Sequence, residues 1–262
     1  MLVDSHCHLD FPELAGDLDS VFSLMRENGV GHALCVSVTL EDFPRVRRLA
    51  ETHAHLYGSV GVHPDYEAVG AVTVEELVAH AANPRIVAIG ETGLDYFRLK
   101  GNLEWQRERF RTHIRAAREC GKPLIIHTRA AAEDTLRIMR EEGADKAGGV
   151  MHCFTESLEV ARAAMDLGFY ISFSGIVTFK SAKDLKAVAV EVPLERALVE
   201  TDSPYLAPVP YRGRTNQPGY VKHVAEELAR LKGVAFDEVC CKTTDNFFNL
   251  FKSIKEPSHV NA

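Results

Sequence analysis

Pro123-Leu124-Ile125-Ile126-His127-Thr128-Arg129 is a short apolar, β-branched run that ends on a histidine. Gly149-Val150-Met151-His152 repeats the arrangement further along, and between the two Ala132, Leu136 and Met139 fall on one face of a helix. The apolar runs lack polar alternation, so they fit strands buried on both faces rather than strands with one side in water. The same alternation extends in both directions. Strand-like runs occupy Met1–Ser5, His32–Val38, Tyr57–Val62, Ile86–Ile89, Pro123–Ile126, Gly149–Met151, Tyr170–Phe173 and Ala197–Val199. Leu103, Phe110, Ile114 and Ala117 share a helical face, as do Leu158, Ala161 and Met165, and Thr73-Val74-Glu75-Glu76 opens a further helix with a capping-box pattern. Eight strands, each followed by a helix, over about 250 residues predict an α/β protein, a single (β/α)8 TIM barrel. The domain spans residues 1–262, with 257–262 read as a frayed tail. A doubly wound open sheet gives the same alternation, and pattern does not exclude it.

The 262 residues are 46% apolar and 26% charged, which rules out global disorder. No stretch approaches the roughly 20 apolar residues of a membrane helix, so no membrane partner is expected. No basic region precedes an apolar one at the start, so no secretory signal is visible. The six cysteines are scattered without a CxxC pair, which fits reduced thiols in a cytoplasmic protein. Adjacent Cys240 and Cys241 read as two ordinary residues of a helix. A net charge of −7 argues against a surface coated with positive charge for sequence-blind DNA binding, though not against a basic rim at one site.

The 12 histidines are the oddity of the composition. Several interrupt the alternation just past strand ends, where barrel enzymes build their sites. His6 and His8 lie two apart after the first strand, so both face one way, into the mouth, with Cys7 toward the helices. A pair of surface histidines is the alternative. His63, before Pro64, ends the third strand, and a substrate contact is the favoured role over ligand or cap. Glu91 emerges from an apolar strand between Gly90 and Gly93. An unpaired buried charge there is costly, and no strand lysine or arginine is at hand to pair with it. Asp95 is either at the same mouth or a loop cap. His127 and His152 end the fifth and sixth strands. Asp202 ends the eighth, with Glu200 on the same face but deeper. Asp4 stands one layer below His6, as a supporting or a structural acid. Four histidines and two carboxylates, with no thiolate, suit Zn, Mn, Fe or Mg rather than structural zinc. Six ligands exceed one tetrahedral site and suit two metals sharing a carboxylate. Phosphate loops, dinucleotide fingerprints and the GxSxG elbow are absent from the sequence.

These segments resemble the TatD-type deoxyribonucleases of the amidohydrolase superfamily. The resemblance lies in Asp4-Ser5-His6-Cys7-His8-Leu9-Asp10, Gly61-Val62-His63-Pro64, Gly90-Glu91-Thr92-Gly93-Leu94-Asp95-Tyr96, His127-Thr128-Arg129, His152-Cys153-Phe154 and Glu200-Thr201-Asp202-Ser203-Pro204. The resemblance runs from the first strand to near Asn249 and also covers residues 212–220. It implies a (β/α)8 barrel with two divalent ions, held by His6, His8, Glu91, His127, His152 and Asp202, with Glu91 as the bridge. His63 is then a contact for substrate phosphate. The implied activity is a 3′–5′ exonuclease that cuts phosphodiester bonds at DNA ends with metal-activated water. Asp202, Glu91 and His63 are its catalytic residues, and Asp202 is the candidate general base. The alternative is a deacylase acting on an ester or amide such as aminoacyl-tRNA; a non-enzymatic scaffold has no need of such a ligand set. Arg98, Lys100, Arg129, Lys180, Arg212 and Arg214 fall in loops at the same barrel end, with His63, Arg129 and Arg214 taken as substrate contacts. Tyr96, Phe97, Tyr205, Tyr211 and Tyr220 lie in those loops too. They are placed either to stack bases of single-stranded or end-frayed DNA or to pack the barrel top. The oligomeric state is open, a monomer included.

Overall fold

The structure is a computed structural model that describes residues 1–254, so the tail read at 257–262 lies outside the described residues. Eight strands, β1 (Leu2–Cys7), β2 (Val30–Cys35), β3 (Leu56–Val60), β4 (Ile86–Asp95), β5 (Leu124–Arg129), β6 (Gly149–Met151), β7 (Tyr170–Phe173) and β8 (Ala197–Val199), form one parallel sheet in chain order. Its ends meet. Cys7 bridges in parallel to Ser203, His8 N donates to Ser203 O at 2.8 Å, and Asp202 N donates to His6 O at 2.9 Å. The sheet therefore curls into a (β/α)8 barrel, and the open doubly wound alternative falls away, because an open sheet keeps its edge strands apart.

Helices α1 (Pro12–Ala15) and α2 (Leu18–Glu27) follow β1, and α3 (Phe43–Thr52), α4 (Val74–Ala81), α5 (Glu104–Cys120), α6 (Ala132–Glu141), α7 (Leu158–Asp166), α8 (Lys183–Glu191) and α9 (Val221–Lys232) follow the successive strands. The capping box predicted at Thr73 is present: Glu76 N donates to Thr73 Oγ1, and Thr73 N to Glu76 Oε2. A final helix, α10 (Phe236–Leu250), carries Cys240 and Cys241, and all six thiols are free.

Strand alternation divides the core into two layers. Leu124, Ile126, Met151 and Ile171 pack outward against the helices. Val3, Leu34, Val87, Ile125, Val150 and Leu198 point inward and fill the barrel. Phe247 and Phe251, on and just beyond α10, join the inner cluster and close the end of the barrel where the strands start. Chemistry is left to the other end.

β4 departs from expectation. It does not stop near Ile89 but runs on to Asp95, pairing Thr92 with Ile126 and Asp95 with Arg129. The register shifts between Ile89 and Thr92, so Gly90 and Glu91 bulge from the ladder. Gly90 and Gly93 adopt φ of 148° and 131°. A Cβ on Gly93 would run into the His127 carbonyl oxygen, and one on Gly61 would press on the Gly90 backbone.

Candidate metal centre

Two of the candidate ligands arrive by plain alternation. Ile125 and Val150 point inward, so His127 and His152, two residues further on, do as well. The first strand needs more. Val3 points inward, and unbroken alternation from it would send Cys7 inward and His6 out. A register shift between Asp4 and Cys7 changes the parity. His6 and His8 then face the centre, while Cys7 joins the outer layer and its thiol reaches Leu34 O at 3.4 Å.

Glu91, only 3% exposed, is the hub. Its two oxygens address different histidines. Oε2 faces His6 Nε2 at 3.4 Å; Oε1 faces His152 Nε2 at 2.8 Å, His127 Nδ1 at 3.2 Å and His63 Nε2 at 3.3 Å. Asp202 Oδ1 lies 3.5 Å from His8 Nε2 and 3.6 Å from His6 Nε2. Asp202 stands in the turn after β8 with a left-handed φ of 57°, a conformation uncommon outside glycine and among those found at functional sites. Three groupings bring candidate ligand atoms within 4.8 Å of one another: His6, His8 and Glu91; His6, His152 and Asp202; His63, Glu91 and His127.

A second ring of groups holds the imidazoles by their other nitrogens. His8 Nδ1 donates to Val36 O at 3.0 Å, which leaves its Nε2 lone pair toward the centre. His127 Nε2 pairs with Asp95 Oδ2 at 3.2 Å, and His152 Nδ1 with Glu200 Oε1 at 3.3 Å. His63 Nδ1 pairs with Asp65, whose other oxygen takes Arg98. Such partners fix ring orientation at metal sites. Asp95 proves to be both alternatives at once, since its Oδ1 also caps the loop by accepting from Phe97 N and Arg98 N. Asp4 accepts from Thr201 N and Oγ1, beneath the site.

The electrostatics describe a place for cations. Burial pushes the Glu91 carboxyl up, but the charges of His152 and His63 and hydrogen bonds from His127 and His152 hold it well below the usual range. Burial likewise opposes ionisation of Asp202, yet His8 and His6 lower it. On the other side, burial works against a proton on His152, and Glu91 and Glu200 outweigh it and raise the ring well above its ordinary value. Burial lowers His6, whose buried Nδ1 has no hydrogen-bond partner. Two carboxylates surrounded by converging imidazole nitrogens fit divalent ions of the kind that take nitrogen and oxygen donors.

Above this floor lies a cleft of about 400 Å³. Arg98, Arg129 and Tyr205 line it, as do Phe11, Asp65 and Tyr66, which the sequence reading did not single out. Arg214 does not reach it, contrary to expectation. Its exposed side chain sits on the β8–α9 loop, turned by the Arg214 N to Tyr211 O hydrogen bond. Neighbouring Arg212 lies over the Phe179 ring at 3.6 Å, and Lys100 ties its own loop to Tyr96 O. Among the aromatics, Tyr96 bonds Asp134 and Arg107 in the helix layer, and Tyr211 and Tyr220 stack on each other at 4.0 Å. These three pack the structure instead of facing the cleft.

The family model described as TatD related DNase matches residues 3–252. The chain belongs to the TatD family. It is 50% identical over 253 residues to the metal-dependent hydrolase YcfH of Escherichia coli (strain K12), with 95% of each covered. It is 43% identical over 256 residues to the metal-dependent hydrolase YabD of Bacillus subtilis (strain 168), covering 96% of this chain and 99% of the relative. The crystal structure of YjjV, a TatD homologue from Escherichia coli K12, superposes with a TM-score of 0.89 at 30% identity, over 96% of this chain and 98% of that one. An organophosphorus hydrolase from Deinococcus radiodurans shares the fold, with a TM-score of 0.66 at 16% identity. The TatD-family chain is a metal-dependent hydrolase, and its buried His/Asp/Glu clusters are placed to hold the metal. No helix among its described residues is long and apolar enough to cross a membrane.

Proposed function

We propose that the protein is a 3′–5′ exodeoxyribonuclease that uses two divalent ions. The observation that carries this reading is the split of Glu91: one oxygen faces His6, the other faces His127, His152 and His63. A carboxylate so placed suits a bridge between two ions. His6, His8 and Asp202 would complete one position, and His127 and His152 the other. Divalent ions held there would supply polarisation of a phosphoryl oxygen and a lowered pKa for water.

The remaining work falls to the chain's own groups. Asp202, at the cleft and partly exposed, accepts the proton of the attacking water. His63, held by Asp65 through Nδ1, lines the cleft and is the contact for a phosphoryl oxygen. Arg129 lines the cleft as a further contact for the anion. The family description supports a nucleic-acid substrate.

Single-stranded DNA labelled at either end, incubated with Mg²⁺, Mn²⁺ or Zn²⁺ beside a chelator control, tests the reading. A 5′ label should give a descending ladder and a 3′ label should be released at once as mononucleotide. Glu91→Gln should cut the rate by at least about 100-fold, since even the outer partners of metal ligands cost 10–100-fold. No shortening with any metal, beside turnover of an aminoacyl ester, would replace the nuclease with a deacylase.

A further inference from the structure

The cleft above Glu91 has two unlike walls. Ile176, Tyr205, Leu206, Phe11 and Val38 line one side, and they belong to the loops after β7, β8, β1 and β2. Arg98 and Arg129 line it from the loop after β4 and the end of β5. In a closed ring of eight strands taken in chain order, β4 and β5 stand across from β8 and β1. An apolar wall therefore faces a cationic one, with the buried carboxylate between them.

The apolar wall is built as a platform. Phe11 stacks on His8 at 4.7 Å with planes 19° apart, and meets the Tyr205 ring edge-on at 6.2 Å. Tyr205 nevertheless leaves 53% of its surface exposed and lines the cleft, so its ring is accessible to a ligand. On the facing wall Arg98 is paired with Asp65, while Arg129 lies over the exposed Phe97 ring, its Cζ 4.0 Å from the centroid. That stacking orients the guanidinium without neutralising it. The cleft is at the small end of the roughly 300–1,000 Å³ range of ligand sites, room for a single nucleotide and not for a duplex.

We propose that Phe11 and Tyr205 form a stacking subsite for the one terminal base of a nucleic-acid strand, and that Arg129 opposite takes a backbone phosphate of the same strand. The assignment rests on the phosphodiesterase reading above. The cleft has no room for a partner base beside the stacked one, so the subsite selects frayed or single-stranded ends. Stacking is indifferent to base identity, because every base has a π face. Removing the ring should therefore weaken all ends alike. Removing Arg129 should weaken any phosphate ligand, with or without a base.

Calorimetric titration of the metal-loaded protein with dAMP, dTMP and deoxyribose 5-phosphate tests this directly, independently of turnover. The wild type should bind both nucleotides about tenfold more tightly than the sugar phosphate, a modest value for one stacked base. Tyr205→Ala should erase that difference by weakening the nucleotides alone. Phe11→Leu, which keeps an apolar side chain under the platform, should reduce it with an unchanged melting temperature. Arg129→Gln should weaken all three ligands by the same factor. Equal binding of nucleotide and sugar phosphate by the wild type, binding of neither, or equal losses for both in Tyr205→Ala would each overturn the assignment. Base-dependent binding without any shortening of DNA would leave the subsite standing and remove the exonuclease. Shortening of DNA with base-blind binding would do the reverse.

Discussion

At the scale of single residues, Glu91 keeps its charge in a buried place only because imidazoles surround it, each aimed by a partner of its own. His127 shows the arrangement most clearly, with Nδ1 toward Glu91 and Nε2 on Asp95 at 3.2 Å. Burial raises the Asp95 carboxyl, but the His127 hydrogen bond, loop amides and the His127 charge bring it down to about 2. Asp95 is therefore a carboxylate at working pH and can hold the ring by a charge-assisted bond. Asp95→Asn should weaken divalent-metal binding about 10–100-fold, with most of the rate recovered at excess metal. Metal titration followed by activity and by calorimetry separates these two effects. An unchanged metal affinity would show that the ring is held by packing alone.

At the scale of elements, the ends of the strands matter more than their middles. The bulges in β1 and β4 turn His6 and Glu91 to the centre. β3 is pinned on its helix side by His113 of α5, whose Nε2 accepts from Val62 N at 3.0 Å while Nδ1–H donates to Arg109 O at 2.8 Å. Both bonds need the neutral ring, and burial lowers its pKa to about 4. Below the unfolded value near 6.5 the unfolded chain takes up a proton that the folded chain refuses. Stability is thus fully present above that value and is lost as pH falls toward 4. Urea unfolding at pH 7 and pH 4.5 should show the wild type losing about 2.4 kcal/mol more than His113→Gln, which has no titrating ring. At the opposite end of the barrel, Phe247 of α10 is fully buried in the inner cluster. Phe247→Ala should cost about 3–5 kcal/mol in the same assay while leaving the rate per folded molecule unchanged, since the cavity it opens lies at the closed end.

At the scale of the whole molecule, the candidate ligands come from five parts of the barrel: β1, β4, β5, and the turns after β6 and β8. β1 and β8 are also where the sheet closes. Ions held there would tie the seam to the far side of the ring. Binding that favours the folded state adds about 2.7 kcal/mol when free metal is one hundred times its dissociation constant. A chain of this size gains roughly 2–4 °C per kcal/mol, so added metal should raise the melting temperature by about 5–10 °C and a chelator should reverse it. Calorimetric scans with and without metal check this, and Glu91→Gln should show little of the shift.

The sequence by itself determined the eight-fold alternation of strand and helix and the residues at the strand ends, while the closure of the sheet into a barrel and the run of β4 on to Asp95 were decided by the tertiary structure. That much was legible because two-sided burial leaves an unbroken apolar run, and because side chains two apart share a face. Alternation also carried His127 and His152 into the mouth correctly. It put His6 and His8 on one face, but the shift in β1 that turns that face to the centre, like the bulge that aims Glu91, depends on register against neighbouring strands. Nor did it reveal Asp65, Glu200 and Asp95 as the groups behind His63, His152 and His127, because those pairings join different strands and loops. The loops were least legible of all. Arg98, Arg129 and Tyr205 reach the cleft, while Arg212, Tyr211 and Tyr220 are engaged elsewhere. Local periodicity sets the direction of a side chain inside a strand. In a loop that direction is set by whichever distant partner the folded chain brings within reach, and only the tertiary structure decides it.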